Sequence, residues 1–143
     1  MTIIKKRVTV PYSTAQMYAV VNDLEQYPKF LPWCKNVTIR NRGPKSVEAI
    51  IQGSKIGIDF SFAIVNYLQA DKVIDINLVH HRPFKEIEVS FTFEALEKGS
   101  RFTFELKFEF VSRLLGWTLT PIIQTESTNL VKALYYRAKQ IYG

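Results

Sequence analysis

Arg101-Phe102-Thr103-Phe104-Glu105-Leu106-Lys107-Phe108-Glu109-Phe110 alternates polar and apolar side chains without a break. A period of two puts every ring on one face and every charge on the other, the pattern of a strand with one dry and one wet side. Upstream the same period recurs. Ile87, Val89, Phe91 and Phe93 alternate with polar partners, as do Ile74, Ile76 and Leu78, and before them Ile58, Phe60, Phe62 and Ile64. Val47, Ala49 and Ile51 form another run, and Val37 and Ile39 a further one. The connections are short and polar, as at Gln69–Lys72 and Glu97–Ser100, which argues an antiparallel meander. Asn41-Arg42-Gly43-Pro44 reads as a turn, and Gly53-Ser54-Lys55-Ile56-Gly57 as a break between strands.

Toward the N-terminus, Val8-Thr9-Val10 ends a first strand at Pro11. Ser13 with Gln16 forms a capping box, and Tyr12 with Met17 a hydrophobic staple. A helix is expected from Thr14 to about Asn22, burying Met17, Tyr18 and Val21. Asp23 with Gln26 repeats the cap pattern for a second short helix, which Pro28 soon ends. After Ser112 the period becomes helical, with Leu119, Ile123, Leu130, Leu134 and Ile141 near one face. Pro121 implies either a kink or a fresh start capped by Thr120, the latter giving a helix roughly 33 Å long to Tyr142. The expected architecture is one α+β domain over residues 1–143. A curved antiparallel sheet of about seven strands grips a long C-terminal helix, with two short helices after the first strand.

The chain has 143 residues, 47% hydrophobic and 22% charged, the balance of a single globular domain with a core of its own. No apolar run approaches the ~18 residues of a spanning helix, and the first residues do not read as a signal peptide. One cysteine permits no internal disulfide and fits a reducing compartment, so a cytoplasmic location is expected. The net charge of +6 points to nucleic acid or to peripheral contact with an anionic membrane. Its basic residues cluster at Lys5-Lys6-Arg7, at Arg40, Arg42 and Lys45, and at Lys132, Arg137 and Lys139.

Groups that carry chemistry are few. Phosphate-binding glycine loops, paired cysteines and nucleophile elbows are absent from the sequence. Cys34, His80 and His81 are the only candidates for nucleophile or metal chemistry, and adjacent histidines on a strand point to opposite faces. A non-catalytic protein with no required cofactor and no metal is therefore expected. Glu126 falls within the apolar stripe of the last helix. It either sits at the margin in solvent or anchors the polar head of a ligand. The other notable stretch is Tyr27-Pro28-Lys29-Phe30-Leu31-Pro32-Trp33-Cys34, an oily segment whose prolines argue against regular helix or sheet. It either plugs a core or rims an apolar site, and Arg82-Pro83-Phe84 is a second loop of that kind.

Val10-Pro11-Tyr12-Ser13, the oily segment, Pro83-Phe84-Lys85 and the closing helix occur in an order that resembles the coenzyme Q-binding, START-like family. Within it the chain looks most like the bacterial ribosome-association toxins. The resemblance implies the helix-grip fold and two distinct functions. Mitochondrial members bind ubiquinone and support respiration; the bacterial toxins bind the large ribosomal subunit and block subunit association. A third reading, a cyclase-type enzyme, follows only from the shared architecture. For a ubiquinone or other prenyl lipid, Tyr27, Phe30, Leu31 and Trp33 are the expected lid and Phe60, Phe62, Phe84 and Phe91 the wall. Leu119 and Ile123 are expected on the helix side, with Glu126 at the head group. The chain departs from the family where a glycine usually precedes Pro-Phe, carrying His80-His81-Arg82 instead.

Overall fold

The computed structural model describes residues 1–143. Seven strands form one antiparallel sheet: β1 (Thr2–Val10), β2 (Cys34–Arg42), β3 (Ser46–Lys55), β4 (Ile58–Gln69), β5 (Val73–Leu78), β6 (Phe84–Ala95) and β7 (Ser100–Phe110). Their spatial order is β1-β7-β6-β5-β4-β3-β2, so β2 to β7 are a meander and β1 returns to pair with β7. The alternating side chains of β7 become the floor of the core. Phe102, Phe104, Leu106, Phe108 and Phe110 are all buried, opposite the half-exposed Thr103, Glu105 and Lys107.

Turns fix the register. β3 continues through Gly53 to Lys55, and Ile56-Gly57 alone makes the turn, with φ of 53° and 74°. Lys55 pairs directly with Ile58, so this is a two-residue hairpin of the type that needs positive φ at both positions. The expected five-residue break is thus corrected: Gly53, Ser54 and Lys55 belong to the strand. A register shift between Phe84 and Glu86 brings Phe84 onto the same face as Ile87, Val89 and Phe91. Phe84 therefore opens β6 rather than sitting in the preceding loop. The His80-His81-Arg82 loop closes with negative φ throughout, and Val111 N–H donates to the Pro83 carbonyl at 3.0 Å.

Between β1 and β2 lies α1 (Thr14–Asn22), capped by Ser13 and Gln16 in the reciprocal box that the sequence predicts. Met17, Val20 and Val21 are its buried residues, while Tyr18 is only half-buried. A 3₁₀ turn (Leu24–Gln26) leads into the one-turn helix α2 (Tyr27–Phe30). Two expectations change here. The Asp23 side chain makes no capping bond. Pro28 begins α2 instead of ending a helix, because in the first turn its missing N–H leaves no bond unmade.

The last element, α3 (Arg113–Tyr142), is a continuous helix of 30 residues capped by the Ser112 hydroxyl, which accepts from Leu115 N–H at 3.2 Å. Pro121 lies inside it, so Thr120 caps nothing and the fresh start is excluded. Its buried residues are Ser127, Val131, Leu134 and Ala138, and Ile141 is exposed. No helix is long and apolar enough to cross a membrane.

Candidate functional site

α3 packs along β1, β7 and α1, so its buried stripe covers one side of the concave sheet. Over β3 to β6 the helix stands off from the sheet, so that Ile123, Glu126 and Leu130 face the inner side of these strands, and Phe104 and Leu106 of β7, across a gap. A cavity of about 420 Å³ fills that gap, and nineteen of its twenty-two lining residues are hydrophobic. The volume lies in the lower part of the ~300–1,000 Å³ typical of small-molecule sites.

Its wall is aromatic. Phe60 and Phe62 stack at 6.0 Å with their planes 10° apart, and Trp33 leans on both at 5.9 and 6.5 Å. Phe84 stacks on Phe110 at 4.6 Å, and Phe91 meets Phe104 at 5.1 Å. The roof comes from the oily segment. Tyr27 is buried and its hydroxyl donates to the Val21 carbonyl, tying α2 back to α1. Burial, helped by Asp23 and Cys34 nearby, raises the Tyr27 phenol far above its ordinary range. Leu31 is 2% exposed and turns inward. Trp33 is held by its carbonyl, which accepts from Ser54 N–H at 2.9 Å. Gly53 permits this approach: a Cβ there would lie 2.7 Å from both the Trp33 carbonyl oxygen and the Phe60 ring.

Of the eleven residues expected in the site, Tyr27, Leu31, Trp33, Phe60, Phe62, Phe84, Phe91, Ile123 and Glu126 line the cavity. Two do not. Phe30 points outward, edge-on to Tyr27 at 5.4 Å and beneath the Arg137 guanidinium at 5.8 Å. α2 is helical there, so Phe30 leaves on a different side from Tyr27 and Leu31. Leu119 packs against the core but short of the cavity, because unbroken helix past Pro121 brings Ile122 and Ile123 to the lining instead.

Glu126 is neither free in solvent nor unpartnered. Its carboxylate meets Lys55 Nζ at 2.7 Å, with side chains 26% and 45% exposed. Lys55 is the residue that sequence reasoning missed, since the expected break placed it in a turn. A signal was available: Val47, Ala49, Ile51, Gly53 and Lys55 share one strand phase, which puts Lys55 on the core face. Beyond this pair lies a second hollow of about 450 Å³, lined by Lys29, Phe30, Lys132, Tyr136 and Arg137 among others. It shares Leu31, Trp33, Lys55, Glu126 and Leu130 with the cavity, so these five residues partition the two spaces.

The remaining candidates stand apart. Cys34 is buried at the start of β2, where burial raises its thiol above the ordinary value. His80 and His81 are exposed, and the His81 Nδ1 lies 2.9 Å from the Phe84 carbonyl. No three His, Cys, Asp or Glu side chains gather as metal ligands.

Comparison with known proteins agrees with this architecture. The chain is 36% identical over 141 residues to the ribosome association toxin RatA of Escherichia coli K12, covering 98% of this chain and 89% of that protein. It is 21% identical over 136 residues to the mitochondrial coenzyme Q-binding protein coq10 of Schizosaccharomyces pombe, covering 91% and 82%. A START superfamily protein from Mycobacterium smegmatis superposes with a TM-score of 0.82 at 23% identity, over 97% of this chain and 98% of the other. The polyketide cyclase / dehydrase and lipid transport family matches residues 10–135, and the chain belongs to that family.

Proposed function

We propose that this protein is a non-catalytic binding module that holds a prenyl quinone of the ubiquinone class in the cavity between sheet, α2 and α3. The single observation that carries the reading is the cavity itself: an apolar space of about 420 Å³ with an aromatic roof and one ion pair at its rim. Transfer of prenyl surface from water is favourable by about 25 cal/mol per Å² and asks for no catalytic group. Three polar groups at the lining are already engaged. Tyr27 donates to Val21, the Ser127 hydroxyl donates to the Ile123 carbonyl at 2.7 Å, and Glu126 is paired with Lys55. That engagement favours binding over acid–base chemistry, although members of the family are cyclases and dehydrases. A long polyprenyl tail exceeds the cavity and leaves through its mouth, so head group and first units are the bound part. Similarity to a coenzyme Q-binding protein gives the ligand class its support, and a supporting role in respiration follows as part of the same proposal.

The test is organic extraction of protein purified from a respiring host, followed by mass spectrometry. A prenyl quinone near one per chain is expected, and much less from an Ile123→Asp variant that remains folded. Equal lipid in both, or an empty extract from folded wild type, would refute the reading. Glu126→Gln abolishing a detected cyclisation would show an enzyme instead.

A second reading, a translation regulator on the large ribosomal subunit, has its own support in the similarity to RatA. The three basic clusters divide between the two sides of the molecule. Lys5-Lys6-Arg7 lies on the edge strand β1, whereas Arg42 pairs with Glu25 and Arg137 reaches Gln26, bringing the other two together around the 3₁₀ turn. Co-sedimentation with the large subunit that weakens steeply with salt is expected on this reading. Retention that ignores salt, or none at all, would count against it.

A further inference from the structure

We propose that the hollow outside the partition is a phosphate site, taking the head of an anionic amphiphile whose apolar tail lies in the cavity. The proposal rests on the cavity being an apolar ligand site and goes beyond the quinone reading: it names a further ligand class, bound the other way round, with the tail in the cavity and a charged head outside it.

Charge is the first ground. Lys29, Lys55, Lys132 and Arg137 line the hollow, and Glu126 is its only carboxylate. Glu126 is committed to Lys55 at 2.7 Å. None of Lys29, Lys132 and Arg137 has a carboxylate within ion-pair distance. Three cations therefore converge on one concave surface without an anion to balance them.

Arg137 is the second ground. It is half-buried, and its Nε is shielded from solvent with no hydrogen-bond partner. Its one polar contact is a long 3.5 Å bond from Nη2 to Gln26 Oε1, and its plane rests over Phe30. A guanidinium fixed by packing yet short of acceptors is a pre-organised fork for an oxyanion. The orphaned donor also gives a reason for the position of Phe30: it props Arg137 rather than closing the cavity.

The third ground is continuity. A molecule lying across Leu31, Trp33 and Leu130 has its apolar part in the cavity and its head among the cations. On the way it meets the Lys55–Glu126 pair. A phosphate offers Lys55 a second anion, so Glu126 can release it and the partition opens as the ligand arrives. A neutral head gives no such exchange.

The probes are farnesol, farnesyl phosphate and inorganic phosphate, each read by displacement of a neutral fluorescent apolar dye and by calorimetry. The first two share one tail and differ only in the head. Farnesyl phosphate is expected to displace the dye at roughly tenfold lower concentration than farnesol, the gain of one or two charge-assisted bonds. Lys132→Gln, at an exposed position, and Arg137→Lys, which keeps charge but loses the fork, should each erase most of that advantage and leave farnesol unchanged. Thermal unfolding confirms that both variants fold. Equal displacement by the two prenyl probes would overturn the proposal and leave the cavity reading standing. Failure of the dye and of both prenyl probes to bind would overturn both. Inorganic phosphate binding as tightly as farnesyl phosphate would overturn the amphiphile and leave a free-anion site. An RNA oligomer that binds more tightly than farnesyl phosphate and competes with it would also overturn it, in favour of a nucleic-acid surface.

Discussion

Val89→Phe distinguishes an open cavity from a merely loose core by the sign of its effect. Val89 sits in β6 opposite Leu106 and Ile76, with its side chain on the cavity face. In a core at native density, the added ring carbons would force neighbours aside and cost ~1–3 kcal/mol. In a space of about 420 Å³ they have room. At ~0.8 kcal/mol per buried methylene, the extra carbons set a ceiling of roughly 3 kcal/mol of stabilisation. The cavity opens at its mouth and the new ring loses rotamer freedom, so about 1 kcal/mol is the working value. For a chain of 143 residues that is a rise in Tm of about 3 °C.

The same ring occupies the ligand's place, so uptake of a neutral apolar dye should fall at least about tenfold, equivalent to ~1.4 kcal/mol. Stability up and binding down is the expected pair, measured by differential scanning calorimetry and dye titration on one preparation. A Tm lowered by several degrees with dye uptake unchanged would refute the cavity. That outcome would mean the space collapses in solution and the dye binds elsewhere.

Three further perturbations probe the roof and the rim. Gly53→Ala inserts a Cβ into backbone and ring atoms 2.7 Å away; a loss of ~1–3 kcal/mol and red-shifted Trp33 emission, read in a Trp117→Phe background, are expected, and an unchanged spectrum would show that the Trp33 roof does not depend on this approach. Tyr27→Phe should cost about 1 kcal/mol at neutral pH by removing the bond to Val21. Because burial raises the Tyr27 phenol above its ordinary 10.0, both states are protonated below that pH and the stability is fully present there. Above it only the unfolded chain ionises, so wild type loses up to about 1.4 kcal/mol per pH unit that Tyr27→Phe does not, and parallel urea curves at high pH would contradict this. Glu126→Gln should change stability by less than about 1 kcal/mol, since the pair with Lys55 is part-exposed, yet accelerate dye exchange through the rim; an unchanged rate would mean the pair is no gate.

The sheet was legible because half-buried antiparallel strands carry their burial in a period of two that nothing else imitates. Every strand from β2 to β7 follows from it, and Ser13 with Gln16 announces α1. Sequence and structure part where two local signals compete. Pro28 reads as a terminator, although the same ring is favoured in a first helical turn, and the choice depends on the chain before it. Pro121 reads as a kink or as a start capped by Thr120, yet the Ser112 cap and packing from Leu115 to Leu130 carry the helix through. Lys55 is hidden for a related reason. Two glycines flanking Ser54-Lys55-Ile56 suggested a loop, whereas one of them serves a close approach and the other a tight turn.

Partition of the oily segment was the least legible feature, because sequence shows that a stretch is apolar but not which way each residue turns. Tyr27, Leu31 and Trp33 go inward while Phe30 goes outward, and a single turn of helix decides it. The need for such a segment is more general. Seven strands make a concave face wider than one helix can cover, and α3 lies over the β1 and β7 side. Where α3 stands off from the sheet, Phe60, Phe62, Phe84 and Ile87 would be open to water. A lid of one helical turn shields them from above without filling the space beneath. The cavity is therefore what remains when a sheet of this width is closed by one long helix and a small roof, and a ligand that fills it completes the core.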